Sequence, residues 1–295
     1  MEKMNIGFIG TGVMGSPMAG HLLAARYPVW VYNRTESKSS VLIEAGAVRG
    51  LSPAAIAAAC DIVITMVGFP SDVEQTYFGE EGLIANSKQG TILIDMTTSS
   101  PALALQIYET AKASNISALD APVSGGDIGA RNAALSIMVG GDDEVYQRAL
   151  PIFHVLGKNI ERQGGPGAGQ HTKMCNQIAI ASNLLGVCEA ILYAEKAGLD
   201  PTHVLRSIES GAAGSWSLSN LGPRIIAGNY APGFFVKHFI KDMNIALESA
   251  RSMNLLTPGL ELVLSMFKQL AEMGEAESGT HALYKWLKIK SDTHL

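Results

Sequence analysis

The chain has 295 residues, of which 47% are hydrophobic and 17% are charged. This length corresponds to about two domains of roughly 150 residues each. The apolar content is enough for sizeable cores and excludes a mainly disordered chain. With 22 Lys and Arg against 27 Asp and Glu, the net charge is −5 at pH 7. The chain therefore lacks the positive field that attracts polyanions, and we expect no nucleic-acid partner.

The cysteines and the apolar segments indicate the compartment. Cys60, Cys175 and Cys188 form no C-x-x-C pair, and each lies in an apolar, helix-like stretch. We expect three buried thiols in a reducing environment. Glycines interrupt the first apolar segment, which is unlike a signal peptide. The longest apolar region, residues 178–197, contains two glutamates, a lysine and an asparagine. We therefore expect a cytoplasmic protein without a membrane span.

The first half of the chain alternates short β-branched segments with amphipathic helical ones. This alternation predicts a doubly wound, mostly parallel α/β sheet, that is, a Rossmann domain over residues 1–165. The predicted strands are NIGFI (5–9), VWVY (29–32), DIVITMV (61–67), TILID (91–95), ISALDAPV (116–123) and ALSIMVGG (134–141).

The strand signals stop after QGGPGAGQ at residues 163–170. Residues 166–295 read as helices separated by Gly- and Pro-containing turns, which predicts an all-α second domain. A long helix over residues 168–197 carries apolar residues on nearly every face, so we expect it to be buried and to join the two domains. The first few residues and the tail after Lys290 are expected to be loose.

A glycine-rich segment, Gly10-Thr11-Gly12-Val13-Met14-Gly15, follows the first strand and opens a helix. In this context Gly10 permits a tight turn, Gly12 lets a pyrophosphate approach the backbone, and Gly15 lets the helix pack on the sheet. The N–H groups at the helix start can bind phosphates. We predict a dinucleotide site at this turn; a plain glycine-rich turn is the alternative. The predicted cofactor contacts are Gly10, Thr11, Gly12, Val13 and Met14.

The end of the second strand reads Asn33-Arg34-Thr35, where an NAD site usually has an acidic residue. Arg34 can form a forked contact with a 2′-phosphate, and Asn33 and Thr35 do not repel it. The segment therefore favours NADP(H) over NAD(H). The alternative is a solvated surface arginine.

Two further segments carry polar groups suited to an acidic substrate. Ser124, Gly125 and Gly126 follow a strand and offer a hydroxyl with two unshielded N–H groups, which is typical of a small anion site or a simple turn. Lys173 lies on the long apolar helix with Asn176 at i+3 and Gln177 at i+4. A desolvated lysine can exchange the proton of an alcohol; the alternative is a lysine that reaches solvent.

The order of the motifs resembles the β-hydroxyacid dehydrogenase family over residues 5–287. This family includes 3-hydroxyisobutyrate dehydrogenases, tartronate semialdehyde reductases and, more distantly, 6-phosphogluconate dehydrogenases. The motifs are GFIGTGVMG (7–15), NRT (33–35), DMTTSSP (95–101), DAPVSGG (120–126), GAGQHTKMCNQ (167–177) and KD (241–242).

The resemblance implies a role for each matching residue. Lys173 would be the catalytic proton donor or acceptor, and Ser124, Gly125 and Gly126 would bind the substrate carboxylate. The remaining implied cofactor contacts are Met66, Val67, Thr97 or Thr98, and Lys241, which Asp242 would support.

The resemblance also bears on the substrate and the assembly. Many relatives have Asn four residues after the lysine, whereas here Asn176 precedes Gln177, a pair similar to that of tartronate semialdehyde reductases. We count both amides among the substrate-binding candidates. No metal site is expected. The family architecture implies a homodimer or homotetramer.

The leading hypothesis is an NADP(H)-dependent oxidoreductase of short 3-hydroxy acids or their semialdehydes. A lysine with the ordinary pKa of about 10.4 is protonated at neutral pH, which favours reduction of the aldehyde. Two alternatives remain: an oxidative decarboxylase of a sugar-acid phosphate, and a non-catalytic NADP-binding module.

Overall fold

The computed structural model describes residues 4–293, and its first half contains nine strands that form one sheet. The strands are β1 (Ile6–Ile9), β2 (Val29–Tyr32), β3 (Val48–Arg49), β4 (Ile62–Thr65), β5 (Ile92–Asp95), β6 (Ser117–Asp120), β7 (Val123–Ser124), β8 (Leu135–Gly140) and β9 (Gly157–Gly164). Their order across the sheet is β3-β2-β1-β4-β5-β6-β8-β7, and β9 pairs with β8.

The sheet is mostly parallel, as the sequence predicts. Every pairing among β1 to β6 is parallel, whereas β8 runs antiparallel to β6 and β7. The strand β9 pairs in parallel with β8 and is absent from the predicted strands. Its sequence, GKNIERQG, is polar and mostly exposed, so it lacks the alternation of apolar residues that marks a half-buried strand.

Helices cover both faces of this sheet. Alternate residues of one strand enter different cores: Phe8 packs with the helices at Gly15–Ala24 and Asp143–Leu156, and Ile9 packs with those at Pro53–Ala59 and Pro101–Ala113. The helices of the first half are α1 (Gly15–Ala24), α2 (Ser40–Glu44), α3 (Pro53–Ala59), α4 (Pro70–Phe78), α5 (Leu83–Asn86), α6 (Pro101–Ala113), α7 (Gly126–Arg131) and α8 (Asp143–Leu156). The two-sided covering agrees with the predicted doubly wound fold.

Several helices begin where proline and a capping residue fix the first turn. Ser52 Oγ accepts from Ala55 N at 3.2 Å, and Ser100 Oγ accepts from Leu103 N at 3.1 Å. Proline occupies the first helical position of α3 and α6, where an N–H would have no helical partner. Pro17 lies within the first turn of α1, where a proline is tolerated.

The second half is helical, as predicted. Its helices are α9 (Ala168–Lys196), α10 (Pro201–Ile208), α11 (Trp216–Asn220), α12 (Gly222–Ile226), α13 (Val236–Ser252), α14 (Pro258–Leu270) and α15 (Leu283–Thr293). Their buried side chains form a core of their own that includes Phe239 and Phe267. Residue contacts divide the chain into two units after Lys173. The domain boundary at 165/166 stays a prediction.

The predicted loose ends are partly helical. Residues 291–293 belong to α15, which continues past Lys290 and ends at Thr293. The rest of the expected loose segments, residues 1–3 and 294–295, lies outside the described residues.

The long helix α9 is less buried than its sequence predicts. Cys175, Ala179 and Gly186 are exposed in the chain, so the prediction of three buried thiols is wrong for Cys175. Burial raises the pKa of the Cys60 thiol to about 12, and Cys188 is also buried. By length and composition α9 could cross a membrane, and 44% of its apolar window is buried inside the protein. A core helix of a soluble protein meets the same criteria, so this is weak evidence for a span.

Candidate functional site

The turn after β1 has the backbone geometry of a dinucleotide site. Gly10 has a φ of +94°, and a Cβ on it would lie 2.2 Å from the carbonyl oxygen of Met66. A Cβ on Gly15 would lie 1.8 Å from the carbonyl oxygen of Gly10. These two glycines are required by close approach within the protein. A Cβ on Gly12, by contrast, would meet no atom within 4 Å.

The open space at Gly12 fits a dinucleotide pyrophosphate. The helix α1 begins at Gly15 without a side-chain cap and without an acidic residue in its first turn. Its first N–H groups and its positive dipole end are therefore suited to an anion. The strand order also reverses between β1 and β4, and ligands of open α/β sheets bind at such a point. The residues present fit a nicotinamide dinucleotide.

Asn33 joins the ends of the first two strands. Its Oδ1 accepts from Thr11 N at 3.0 Å, and its Nδ2 donates to the carbonyl oxygen of Thr35 at 2.9 Å. The hydroxyls of Thr11 and Ser39 lie 3.0 Å apart. The structure thus brings together two of the predicted cofactor segments. Met14 packs on the core, and Val13 is 54% exposed.

Arg34 projects into solvent at the end of β2. Its side chain is 84% exposed, and its Nη1 lies 3.3 Å from Oδ1 of Asp72. Asp72 is not among the residues that the sequence motifs predict for this site. The two residues are far apart in the chain, and no local pattern links them.

A buried hydrogen-bond chain supports the segment after β4. Val67 N donates to Thr97 Oγ1 at 3.0 Å, and Thr97 N donates to Asp95 Oδ1 at 3.1 Å. Met66 N donates to the carbonyl oxygen of Ile9 at 2.8 Å. Thr97 is buried, and Thr98 is half-buried. Met66, Val67 and Thr97, predicted as cofactor contacts, are therefore held at the ends of adjacent strands.

Asp95 is a buried carboxylate to which the sequence motifs assign no role. Thr65 Oγ1 donates to its Oδ1 at 2.8 Å, and the hydroxyl of Tyr77 lies 3.1 Å from the same Thr65 oxygen. Burial raises the pKa of Asp95 to about 6, although its hydrogen bonds with Thr65 and Thr97 act in the opposite direction. An acidic residue that ends an apolar strand is the sequence signal that could have identified it.

Asp120 ends the neighbouring strand and faces the start of α9. Its Oδ1 accepts from Gly167 N at 2.8 Å, and its Oδ2 accepts from Gln170 N at 2.8 Å. Burial raises the pKa of this carboxyl, and the backbone N–H groups of Gln170 and Gly167 oppose the shift. Asp120 therefore attaches the first turn of α9 to the sheet.

Gln170 makes a second connection in the same place. Its Oε1 accepts from Ser99 N at 3.0 Å, and its Nε2 donates to the carbonyl oxygen of Thr97 at 2.7 Å. The side chain is fully buried. Asp120 and Gln170 together fix the helix turn that carries Lys173.

Lys173 is buried at the end of the first unit. It is 7% exposed, and its Nζ donates to the carbonyl oxygen of Val123 at 2.9 Å. Val123 is followed in the chain by Ser124. Both residues belong to β7, and Ser124 pairs with Ser136 of β8. Gly125 and Gly126 have φ values of +123° and +61°, so glycine is favoured at both positions. The structure thus brings the ammonium group beside the strand that leads into the predicted carboxylate site.

The polar candidates of the second unit form their own network. Asn176 Nδ2 donates to Gln177 Oε1 at 2.7 Å, and Gln177 Nε2 donates to Asp242 Oδ2 at 2.5 Å. Lys241 Nζ lies 3.0 Å from Asp242 Oδ1, and both side chains are largely buried. Asp242 therefore orients one predicted substrate contact and pairs with a predicted cofactor contact.

Among residues 4–293, no group of three or more His, Cys, Asp or Glu side chains is arranged to hold a metal ion.

Comparisons with known families match both halves of the chain. A profile of the NAD binding domain of 6-phosphogluconate dehydrogenase matches residues 5–165. A profile described as the NAD-binding region of NADP-dependent 3-hydroxyisobutyrate dehydrogenase matches residues 167–287.

Individual relatives match over nearly the full length. The uncharacterized oxidoreductase YkwC of Bacillus subtilis (strain 168) is 56% identical, with 97% of this chain and 100% of that protein covered. The 2-hydroxy-3-oxopropionate reductase of Escherichia coli (strain K12) is 38% identical, and the match covers 99% of this chain and 100% of that protein. The solved structure of Mycobacterium tuberculosis 3-hydroxyisobutyrate dehydrogenase with L-serine has a TM-score of 0.89 at 28% identity. The match covers 97% of this chain and 99% of that chain.

Proposed function

The chain belongs to the β-hydroxyacid dehydrogenase family, and from this membership we propose that it is an NADP(H)-dependent reductase of a short semialdehyde. The reverse reaction is oxidation of the corresponding 3-hydroxy acid. That the protein is an NAD(P)-dependent enzyme acting on small hydroxy acids follows from the family and its named relatives. The choice of NADP(H), the semialdehyde and the residue roles are the proposal.

The burial and contact of Lys173 carry this proposal. Its Nζ donates to the carbonyl oxygen of Val123 at 2.9 Å. That contact fixes the ammonium group beside the strand that ends in Ser124. A fixed ammonium group can donate a proton to the carbonyl oxygen of an aldehyde. Because the side chain is 7% exposed, little solvent competes for that proton.

The substrate carboxylate binds at the segment after β7. The Ser124 hydroxyl and the N–H groups of Gly125 and Gly126 donate to its oxygens. This contact holds the aldehyde carbonyl toward Lys173, which lowers the entropic part of the barrier. The glycine turn after β1 and the start of α1 would hold NADPH, which would supply the hydride for the carbonyl carbon when bound. Lys173 supplies the proton to the oxygen, so the aldehyde becomes an alcohol.

The NADP(H) assignment rests on the end of β2. Arg34 offers a planar, permanently charged fork for a 2′-phosphate, and Asn33 and Thr35 add no negative charge. The second family profile is described as that of an NADP-dependent dehydrogenase, which supports the same choice. In the second unit, Lys241 provides a further positive charge for the cofactor, held by Asp242 at 3.0 Å.

A three-carbon semialdehyde acid is the proposed substrate class. The relative from Escherichia coli is named for reduction of 2-hydroxy-3-oxopropionate and is 38% identical. The Asn176–Gln177 pair offers amide groups to a hydroxyl on such a substrate. We therefore place tartronic semialdehyde first in a panel that includes succinic, methylmalonic and glyoxylic semialdehyde-type compounds.

The test is oxidation of NADPH and NADH, followed at 340 nm across this panel. Lys173→Ala is compared with Lys158→Ala, which removes an exposed lysine from β9. We expect Lys173→Ala to lower kcat by at least about a thousandfold while NADPH still binds, and Lys158→Ala to match the wild type. Turnover retained in Lys173→Ala contradicts the role of this lysine. Tight NADPH binding without turnover on any compound favours a cofactor-binding module instead.

We also propose that the enzyme acts in the cytoplasm as a homodimer or homotetramer. One side of α9 is exposed in the single chain and includes Ala179, Gly186 and Tyr193, the last 74% exposed. Small side chains allow a second helix to approach closely. Light scattering of the purified protein tests the assembly, and a monomer at micromolar concentration contradicts it.

A further inference from the structure

The arginine proposed to bind the 2′-phosphate already has an anionic neighbour. Arg34 Nη1 lies 3.3 Å from Oδ1 of Asp72, which is within hydrogen-bond distance. The two side chains differ in freedom, since Arg34 is 84% exposed and Asp72 is 24% exposed. Any phosphate that binds Arg34 must share or replace this contact.

Asp72 is held in place by the helix that it caps. Its Oδ2 accepts from Phe69 N at 3.1 Å, at the start of α4. Its own carbonyl oxygen accepts from Thr76 Oγ1 at 2.7 Å. A carboxylate in the first turn of a helix is also stabilised by the positive end of the helix dipole. One oxygen of Asp72 therefore caps α4, and the other faces Arg34.

We propose that Asp72 is a specificity-determining residue that reduces the preference for NADPH over NADH by competing for Arg34. This inference rests on the proposed role of Arg34 in NADP(H) binding. NADPH loses affinity because its 2′-phosphate must take the guanidinium from a fixed carboxylate. NADH has no 2′-phosphate to contact Arg34, so its affinity does not depend on the Arg34–Asp72 ion pair.

The side chain of Asn separates the two functions of Asp72. In Asp72→Asn the amide oxygen can still accept from Phe69 N, whereas the negative charge beside Arg34 is lost. A glutamine at the third helical position also supports this type of cap. Asp72→Gln therefore serves as a second variant if the first is poorly folded. Glu74→Gln is the matched control, because Glu74 is an exposed carboxylate on the same helix.

The experiment measures the Kd of NADPH and of NADH for the full chain by calorimetry. The proteins are the wild type, Asp72→Asn, Glu74→Gln, Arg34→Gln and the double variant of Arg34 and Asp72. We expect Asp72→Asn to lower the Kd of NADPH by up to about fivefold, the upper end of the effect of an exposed ion pair. The Kd of NADH should stay within about twofold of the wild-type value. When Arg34 is already replaced by Gln, we expect Asp72→Asn to change the Kd of NADPH by less than about twofold.

The outcomes separate this inference from the proposed function. The inference is overturned if Asp72→Asn changes both cofactors equally, changes neither, or tightens NADPH as strongly without Arg34. If Arg34→Gln leaves the NADPH to NADH ratio unchanged, the cofactor assignment fails and the inference falls with it. The reductase activity is tested separately by turnover of Lys173→Ala, which none of these binding measurements uses.

Discussion

Gln170 N donates to Asp120 Oδ2 at 2.8 Å, which attaches the first turn of α9 to the end of β6 through a buried carboxylate. The Gln170 side chain adds hydrogen bonds to Ser99 N and to the carbonyl oxygen of Thr97. Three residues later the same helix carries Lys173. The position of the proposed proton donor thus depends on the buried side chains of Asp120 and Gln170.

Replacement of Gln170 by leucine is expected to destabilise the protein. It leaves Ser99 N and the Thr97 carbonyl buried without their partner, and each such group costs about 1–3 kcal/mol. We expect the free energy of unfolding to fall by about 3 kcal/mol, measured by urea denaturation. Gln106→Leu, at an exposed position of α6, is the control and should stay within about 0.5 kcal/mol. An equal stability of the two variants contradicts the role of Gln170.

Two glycines of the first turn should respond differently to alanine. Gly12→Ala adds a methyl group into open space, so we expect a nearly unchanged Tm and NADPH affinity lowered about tenfold or more. Gly10→Ala places a methyl group 2.2 Å from the Met66 carbonyl oxygen at a φ of +94°. That change should lower Tm strongly. Thermal melting and NADPH titration test both variants, and unchanged NADPH affinity in Gly12→Ala would place the pyrophosphate elsewhere.

The carboxyl of Asp95 should make stability depend on pH. Burial raises its pKa from 3.8 to about 6 in the folded protein, so the folded state binds this proton more tightly than the unfolded chain. The contribution of protonated Asp95 to the free energy of unfolding is present below about pH 4 and is lost as the pH rises through 6.

Asp95→Asn removes this titration while the amide oxygen can still accept from Thr65 and Thr97. We expect the stability of the variant relative to the wild type to increase by on the order of 3 kcal/mol between pH 4 and pH 7. Urea denaturation of the cofactor-free protein at several pH values measures this difference. Glu109→Gln, at an exposed position of α6, should show no such trend. Parallel stability curves for Asp95→Asn and the wild type would show that Asp95 titrates normally.

Asp242 should matter more for stability than a surface ion pair. Asp242→Ala removes the carboxylate beside the largely buried Lys241, and loss of one partner of a buried pair costs about 3–5 kcal/mol. Adding Lys241→Met should recover part of that loss. The exposed pair Lys196–Asp292, with N–O at 2.7 Å, is the reference, and Asp292→Ala should cost less than about 1 kcal/mol. Similar losses at Asp242 and Asp292 would contradict the structural role of Asp242.

The sequence predicts the parts of the fold that repeat a simple pattern. β1, β4 and β5 are short apolar segments between amphipathic helices, and the glycine turn has its expected place after β1. The strand β9 escapes prediction because it is polar on both faces and is defined by its pairing with β8. The prediction fails for Cys175 because this residue lies on the side of α9 that is exposed in the chain.

In the candidate site, too, some residues can be predicted from local sequence and others cannot. Segments such as 10–15 and 33–35 carry local chemistry that can be read from neighbouring residues. The partners that orient them lie far away in the chain. Asp72 contacts Arg34, and Asp120 contacts Gln170, only because parallel strands and their following helices end at one edge of the sheet. Such pairs follow from topology, which no local window of sequence contains.

The attachment of α9 to Asp120 also determines where the chain can be truncated to give a stable N-terminal domain. A fragment that stops at residue 165 would lack Gly167 and Gln170, which supply N–H groups to the buried carboxylate of Asp120. The sheet would then expose an unpaired acidic group and the backbone groups of Thr97 and Ser99. A free-standing nucleotide-binding half therefore has to include the first turn of the helix, at least through Gln170.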